Sequence, residues 1–592
     1  MNYVSNFWVR TLVKTQMANV TVADVSTERR ILTVEPANLL IGLLFVVVAF
    51  LVLTPLFLLL VGSFQLARPG EAPVYGLAGW KRAFSDRSIL EALWNTVSLA
   101  VVRQSIALVI GVILSWLIAR TDLPGRKGLE FMFWISFFLP SLPVALGWIL
   151  LLDGKFGLLN QWLQTLPFVS GPIFNVYSYW GIVWVHMTTS LGVKVLLLAP
   201  AFRNLDASLE ESARSCGAST GTTLIRIVVP LMMPAILVST VLGLIRSMEA
   251  FEIELLLGVP IGLFVYSTKI RDLVAYEPPD YASATALGSI FLLLLLVMVA
   301  LQRSYLGQRH YRTVTGRGFS TNPTSLGRWR WPIFAIVALT AFSVTVVPVA
   351  VLLMGTFMRA FGYFNIPSPW TMENWLRVLA DPSLIRSLWN TIFIGLGTAV
   401  TGAVAYSLIA YVVVRRHFKG RAALDFISWL PWAVPGILMG LALLWTVFET
   451  RILLFLYGSV YLLIIALFIK SMPFGVQVSK SVLVQLGPEL EEAARISGGS
   501  WLQMYRRVLV PLLTPTLIVV GLLGFMSAAR DISTVVLLGS SQSRTMALLA
   551  LDYAFGGQFE RGSVVAFMTS LVVIVIALIS HFVGGRVGIG QR

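Results

Sequence analysis

The chain has 592 residues, 57% hydrophobic and only 12% charged, with a mean hydropathy of +0.83, values that exclude an ordinary soluble domain. Its net charge of +16 does not mark a nucleic-acid binder, because the basic residues are dispersed over short loops between apolar runs, as positive-inside topology requires. A single cysteine, Cys216, excludes an internal disulfide, and His186, His310, His417 and His581 lack ligand spacing, so no metal cluster or catalytic dyad is visible.

Residues 1–37 are polar and of mixed charge, without the layout of a cleaved signal peptide, and are expected to form a cytoplasmic N-terminal segment. Apolar runs long enough to cross a bilayer follow at about 39–61, 96–119, 131–152, 180–200, 227–247 and 284–301. His186, inside one of them, reads as a hydrogen-bonded helix-packing residue. Residues 302–331 carry six arginines and no acid, and form a basic linker. Six more runs lie at about 333–357, 391–414, 425–447, 453–471, 510–526 and 563–583. The expected architecture is therefore an all-α polytopic membrane protein of about 12 spans, with two six-span halves at 38–301 and 332–592. The basic loops at Arg120, Arg126 and Lys127 and at Arg415, Arg416, Lys419 and Arg421 share a face with the linker, which places that face and both termini in the cytoplasm.

The halves are copies of one unit. Glu210, Glu211, Arg214, Gly217, Pro230 and Pro234 recur 281 positions later as Glu491, Glu492, Arg495, Gly498, Pro511 and Pro515, without a gap. Trp94-Asn95-Thr96 recurs as Trp389-Asn390-Thr391, and Gly125-Arg126 as Gly420-Arg421, both 295 positions on. An even number of spans per copy makes the repeats parallel, related by an axis along the membrane normal. Within each polar hairpin, Ser208 with Glu211 fits a capping box, Pro488 suits a helix start, and Gly217 and Gly498 suit the left-handed residue that ends a helix. Ser500 with Gln503 fits a further capping box, so each hairpin reads as a short helix, a glycine turn and a second helix. Duplication at matching places in two apolar halves argues against an incidental charged surface hairpin.

The hairpin of Glu492, Ala493, Ala494, Gly498, Val508, Val510 and Pro511, with Glu211, Ser212, Ala213, Gly217, Ile227, Val229 and Pro230 in the first copy, resembles the cytoplasmic loop of permease subunits of binding-protein-dependent ABC importers. Ser212 and the two valines before the prolines are mild departures. The resemblance implies the type I importer permease fold in a bacterial cytoplasmic membrane, with Glu210, Glu211, Ala213, Gly217, Pro230, Glu491, Glu492, Ala493, Ala494, Gly498 and Pro511 coupling to two ATP-binding-cassette subunits. It also implies a periplasmic or lipid-anchored substrate-binding protein. No phosphate-binding Gly-x-x-x-x-Gly-Lys-Ser/Thr loop occurs, so the chain itself binds no cofactor, and ATP and Mg belong to partner subunits. Among fused permeases the likeness is greatest to ferric iron importers, with thiamine, polyamine, phosphonate and sugar-phosphate importers as alternatives. An ion-gradient-driven transporter is the rival from another class; it would place acidic or histidine relays within the spans near the midplane, where the spans look nearly free of central carboxylates, and neither it nor a channel explains the hairpins.

The segment 248–281 reads as an outer loop rich in acids. The 281 offset pairs Glu249 with Arg530, a candidate gate with Arg246 and Asp531 as secondary partners. Two alternatives stand beside it: charges that merely sit in water, and a hard-oxygen lining of the substrate pathway by Glu249, Glu252 and Glu254 that would suit a metal cation.

Overall fold

The computed structural model describes residues 36–586 except 70, 276, 308–322 and 417. Most of the N-terminal segment and half of the linker, with His310 and His417, lie outside the described residues. By compactness the chain divides into Met1–Phe45 and Val46–Arg592, the second unit holding both repeats but for the start of the first helix. Among the described residues there are helices and no strands, only isolated bridges.

In chain order the first repeat comprises α1 (Pro36–Gly62), α2 (Ala78–Ser85), α3 (Arg87–Arg120), α4 (Arg126–Phe138), α5 (Ser141–Leu152), α6 (Leu158–Leu163), α7 (Tyr179–Arg203), α8 (Ala207–Ser215), α9 (Thr220–Thr223), α10 (Val229–Met248), α11 (Tyr266–Ala275) and α12 (Tyr281–Gly307). The second comprises α13 (Arg330–Thr345), α14 (Val347–Thr356), α15 (Glu373–Ala380), α16 (Pro382–Arg415), α17 (Arg421–Trp429), α18 (Gly436–Glu449), α19 (Val460–Gln485), α20 (Glu489–Ile496), α21 (Trp501–Met504), α22 (Val510–Arg530), α23 (Met546–Phe555) and α24 (Phe559–Arg586). Local chemistry repeats with the elements. Asp86 caps α3 by accepting from the Ser88 N–H, and Asp381 caps α16 through Ser383.

Among the described residues ten helices are long and apolar enough to span a bilayer, and twelve spans result if each of two bent pairs counts as one. Those pairs correct a detail of the expected architecture. The run at 131–152 is bent by 104° between α4 and α5, and that at 425–447 by 112°. Pro140 and Pro435, 295 positions apart, stand at the breaks, where a proline lacks the N–H that would continue the ladder. Hydropathy does not register the break because residues on both sides are apolar.

A second correction concerns 248–281, which is no simple outer loop: Glu254–Gly258 forms a buried π-helical turn, and α11 folds back against the bundle with Tyr266, Ser267, Thr268 and Ile270 buried. The repeated Trp-Asn-Thr motif holds this element. Thr96 Oγ1 accepts the Tyr266 N–H at 2.9 Å while Asn95 donates to the Phe264 carbonyl, and Thr391 and Asn390 do the same for Met546 and Arg544.

The repeats interlock through their first helices. A Cβ on Gly147 would stand 2.1 Å from the Pro348 carbonyl, so α14 of the second repeat rests directly on α5 of the first. Reciprocally, Gly62 lies against the Trp445 ring of α18, and Gln65 donates to Glu449 at 3.1 Å.

Candidate functional site

Each polar hairpin begins with a short helix that a glycine ends. Gly217 has φ +83° and Gly498 φ +79°, the left-handed region, and the following N–H bonds back five residues, Ala218 to Ala213 and Gly499 to Ala494, each at 3.0 Å. The start of the first hairpin differs from expectation: Asp206, not Ser208, caps α8 by accepting the Ser208 N–H at 2.9 Å, since the helix begins one residue before the serine. That N–H holds the Asp206 carboxyl below the usual carboxylate range. The capping box of Ser500 and Gln503 forms as expected, and Ser219 caps the equivalent turn.

Each second helix then passes through five residues of π-helix, Leu224–Val228 and Tyr505–Leu509, immediately before Pro230 and Pro511. A proline displaces the carbonyl four residues back; bonding instead five residues back, Val229 to Leu224 and Val510 to Tyr505, absorbs the displacement without breaking the helix. The hairpins are thereby continuous with the spans that follow, Thr220–Met248 and Trp501–Arg530.

What fixes each hairpin to the bundle is an ion pair that sequence reasoning missed. Arg120, the last residue of α3, directs Nη2 and Nε at Glu210 Oε1 at 2.7 and 2.9 Å, and donates Nη1 to the Leu205 carbonyl. Arg415, the last residue of α16, meets Glu491 Oε1 at 2.7 Å and the Leu486 carbonyl at 2.5 Å. The partners correspond one to one between repeats, but Arg120 and Arg415 are 295 apart and Glu210 and Glu491 are 281 apart. Both glutamates are buried, so they are internal anchors rather than contact residues. Glu211, Glu492, Ala493, Pro230 and Pro511 are exposed, with Ala213 buried and Ala494 half-buried. Leu209 and Leu490, also equivalent, are exposed beside them, as is Ile496 at 88%. With Arg226, Arg495, Arg506 and Arg507 also exposed, each hairpin offers a mixed charged and apolar surface on an anchored base, suited to a protein groove.

A second polar region lies where the repeats meet. The end of α22 packs against the α4–α5 break through Phe138, Phe525, Met526 and Ala529, and the end of α10 against the α17–α18 break through Ile245, Ala433 and Trp432. Glu249 and Arg530 stand at these equivalent helix ends, yet they do not pair here. Arg530 donates Nη1 to the Phe137 carbonyl at 3.0 Å and lies over that ring. Asp531 pairs with Lys470 of α19 at 2.5 Å and accepts the Thr534 N–H. Arg246 is exposed, and the half-buried carboxylates of Glu249 and Glu252 have no ion-pair or side-chain hydrogen-bond partner among the described residues. Glu254 is set apart from them: Arg103 Nη1 at 3.0 Å and His186 Nε2 at 2.8 Å both reach its Oε1, with Glu254 and Arg103 each about 2% exposed or less.

The span interiors are consequently less free of charge than hydropathy suggested. Arg103 lies near the middle of α3, and Lys194 of α7, also buried, donates to the Ser239 carbonyl at 2.6 Å. Each has a partner on another element, Arg103 in Glu254 and Lys194 in Ser239, which makes burial tolerable, although Arg103 Nε and Glu254 Oε2 have no hydrogen-bond partner among the described residues. His186 does act in helix packing through a hydrogen bond, its partner being a carboxylate. No group of three metal-ligating side chains occurs among the described residues.

Comparison with known proteins bears on this arrangement. The ferric transport system permease protein FbpB of Actinobacillus pleuropneumoniae is 27% identical over 460 residues, 75% of this chain and 63% of that protein. The probable ABC transporter permease protein y4fN of Sinorhizobium fredii is 26% identical over 559 residues, 92% of this chain and 96% of that one. The spermidine/putrescine transport system permease protein PotB of Escherichia coli is 27% identical over 246 residues, 41% of this chain and 88% of that one. The family described as the inner membrane component of binding-protein-dependent transport systems matches residues 107–309 and again 401–588, each match containing one hairpin and its following spans. With two thirds of its length accounted for by that doubled match, the chain belongs to this family of multi-pass, non-catalytic ABC permeases, in a two-in-one form.

Proposed function

We propose that the chain forms the substrate pathway of a binding-protein-dependent ABC importer, and that its two hairpins dock two ATP-hydrolysing subunits on the cytoplasmic side. The observation that carries this reading is the duplicated Arg–Glu anchor beneath each exposed hairpin surface. A force applied to α8 or α20 is transmitted by Arg120 or Arg415 into the longest helices of the bundle, each of 34 residues. Both termini and the linker lie in the cytosol in this reading, and a substrate-binding protein delivers cargo to the opposite face.

ATP-driven closure of the partner subunits brings the hairpins together and opens the pathway outward; after hydrolysis the repeats rock back. The packed ends of α10 and α22 are where that rocking must break contact. Glu249 and Arg530 close the pathway as a pair in another state of the cycle, with Arg530 exchanging the Phe137 carbonyl for the carboxylate, while Arg246 and Asp531 adjust beside them.

Ferric iron is the cargo this reading favours. The name of the similar FbpB protein supports it, as do Glu249 and Glu252, carboxylates without a side-chain partner among the described residues and of the kind a hard cation takes beside the pathway. Purified permease, its ATPase and its binding protein, reconstituted in liposomes, provide the test. ATP-dependent uptake of ferric iron, undiminished by excess putrescine, thiamine or phosphonate, is expected. Uptake of one of those solutes in place of iron would replace the cargo and keep the importer; absence of any dependence on ATP would remove the importer reading.

A further inference from the structure

We propose that the α4–α13 groove is a binding site for an anionic phospholipid. The groove, of about 720 Å³, is lined by Gly125, Gly128, Leu129, Met132, Phe334 and Phe342, together with neighbouring apolar residues of α13. It lies between helices of different repeats, bridged near one end by Thr345 Oγ1 donating to the Met132 carbonyl at 3.0 Å. Two glycines keep it open. A Cβ on Gly128 would meet nothing within 4 Å, and Gly125, at φ +62°, favours a residue without one.

The mouth is basic. Arg126 and Lys127 open α4, and Arg328 and Arg330 stand at the start of α13, all four exposed. Among the described residues Arg126, Lys127 and Arg328 have no ion pair, and Arg330 has only Asp122 at 4.0 Å. Cations in a first helical turn are placed against the helix dipole, so this cluster carries uncompensated positive potential. Trp329 and Trp331, both more than half exposed, flank it as residues of a membrane interface do. An apolar slot that opens at a cluster of unpaired cations matches a diacyl lipid with a phosphate headgroup, the chain filling the slot and the phosphate meeting the cations. The Gly125-Arg126 dipeptide, repeated as Gly420-Arg421, thereby acquires a role in the first repeat that the hairpins do not explain.

Native mass spectrometry of the full chain, released from nanodiscs containing phosphatidylglycerol and phosphatidylcholine of identical acyl chains, tests the site. One retained phosphatidylglycerol is expected in preference to phosphatidylcholine. Each of Arg126→Gln, Lys127→Gln and Arg328→Gln should weaken retention by about fivefold, the worth of one basic residue at an anionic lipid surface. Gly128→Leu, which fills the slot in open space, should abolish retention without touching a charge. Lys419→Gln with Arg421→Gln, in the second repeat, should leave it unchanged. Equal retention of the two lipids would overturn the proposal. So would loss on charge removal with none in Gly128→Leu, which would mark a merely basic surface, or loss in the second-repeat variant.

Discussion

Replacing Arg120 by Met removes a guanidinium whose side chain is 5% exposed from a carboxylate that is 4% exposed, while keeping the aliphatic stem's volume. Deleting one partner of a buried pair costs ~3–5 kcal/mol, because the remaining charge stays in a poorly solvating site. That penalty falls on the local opening of α8 rather than on the bundle, since Arg120 closes its helix and its side-chain hydrogen bonds among the described residues go to Glu210 and Leu205 at the hairpin. Hydrogen exchange of the hairpin amides should accelerate by roughly a hundredfold or more. ATP-driven uptake and retention of the ATPase should fall with it, while the purified permease stays monodisperse. Arg415→Met should show ~1–3 kcal/mol, because Arg415 is 15% exposed and water screens what remains. The double variant Arg120→Met, Glu210→Met should recover hairpin protection, since an apolar pair of similar volume substitutes for a buried ion pair at little cost. Unchanged exchange in Arg120→Met, or a double variant as exposed as the single one, would refute the anchoring argument.

Three further outcomes follow from the same geometry. Gly217→Val with Gly498→Val forces β-branched residues into left-handed backbone at a cost of ~1–2 kcal/mol each, with no steric clash, so the permease should insert normally yet lose ATPase binding; wild-type coupling would count against the turns. Glu249→Arg should impair uptake and the added Arg530→Glu should restore much of it if the two pair during the cycle; a double variant as impaired as the single one would instead favour a cation-lining carboxylate, and no effect of either would remove both roles. A reporter enzyme active only in the periplasm should be silent when fused after Gly316 and active after Ala275, and the reverse pattern would overturn the assigned orientation.

How much of this was legible in the sequence depended on whether the signal was local. The glycine turns, the Ser500–Gln503 box and the doubled hairpin needed only neighbouring residues or a constant offset, and they stand in the structure. The Trp-Asn-Thr repeat was visible, but its work was not, because its partners Tyr266 and Met546 lie 170 and 155 residues away from Thr96 and Thr391. Arg120 and Arg415 looked like topology charges at the ends of spans. Their pairing with Glu210 and Glu491 is hidden by a 14-residue difference between the two repeat offsets, which no single alignment register brings together. Glu254 looked like one acid among several in a loop, whereas Arg103 and His186, on two different helices, make it a buried anchor. Averaged hydropathy sees neither a bend at a proline between apolar segments nor a single charge inside a long apolar run.

The most direct test of coupling uses the protein's own chemistry. Its one cysteine, Cys216, is exposed at the turn of the first hairpin, and Ser497 is the equivalent exposed position in the second. With the ATPase co-expressed, a short thiol-to-amine cross-linker should join permease to ATPase from Cys216, and from Ser497→Cys in a Cys216→Ser background. Arg87→Cys in that same background, at the other end of α3 from the hairpin anchor, should give no such adduct. Adducts from both hairpin positions that change in yield with ATP are the expected result. An ATPase that co-purifies with the permease but links from neither hairpin, or links from Arg87→Cys instead, would contradict the account.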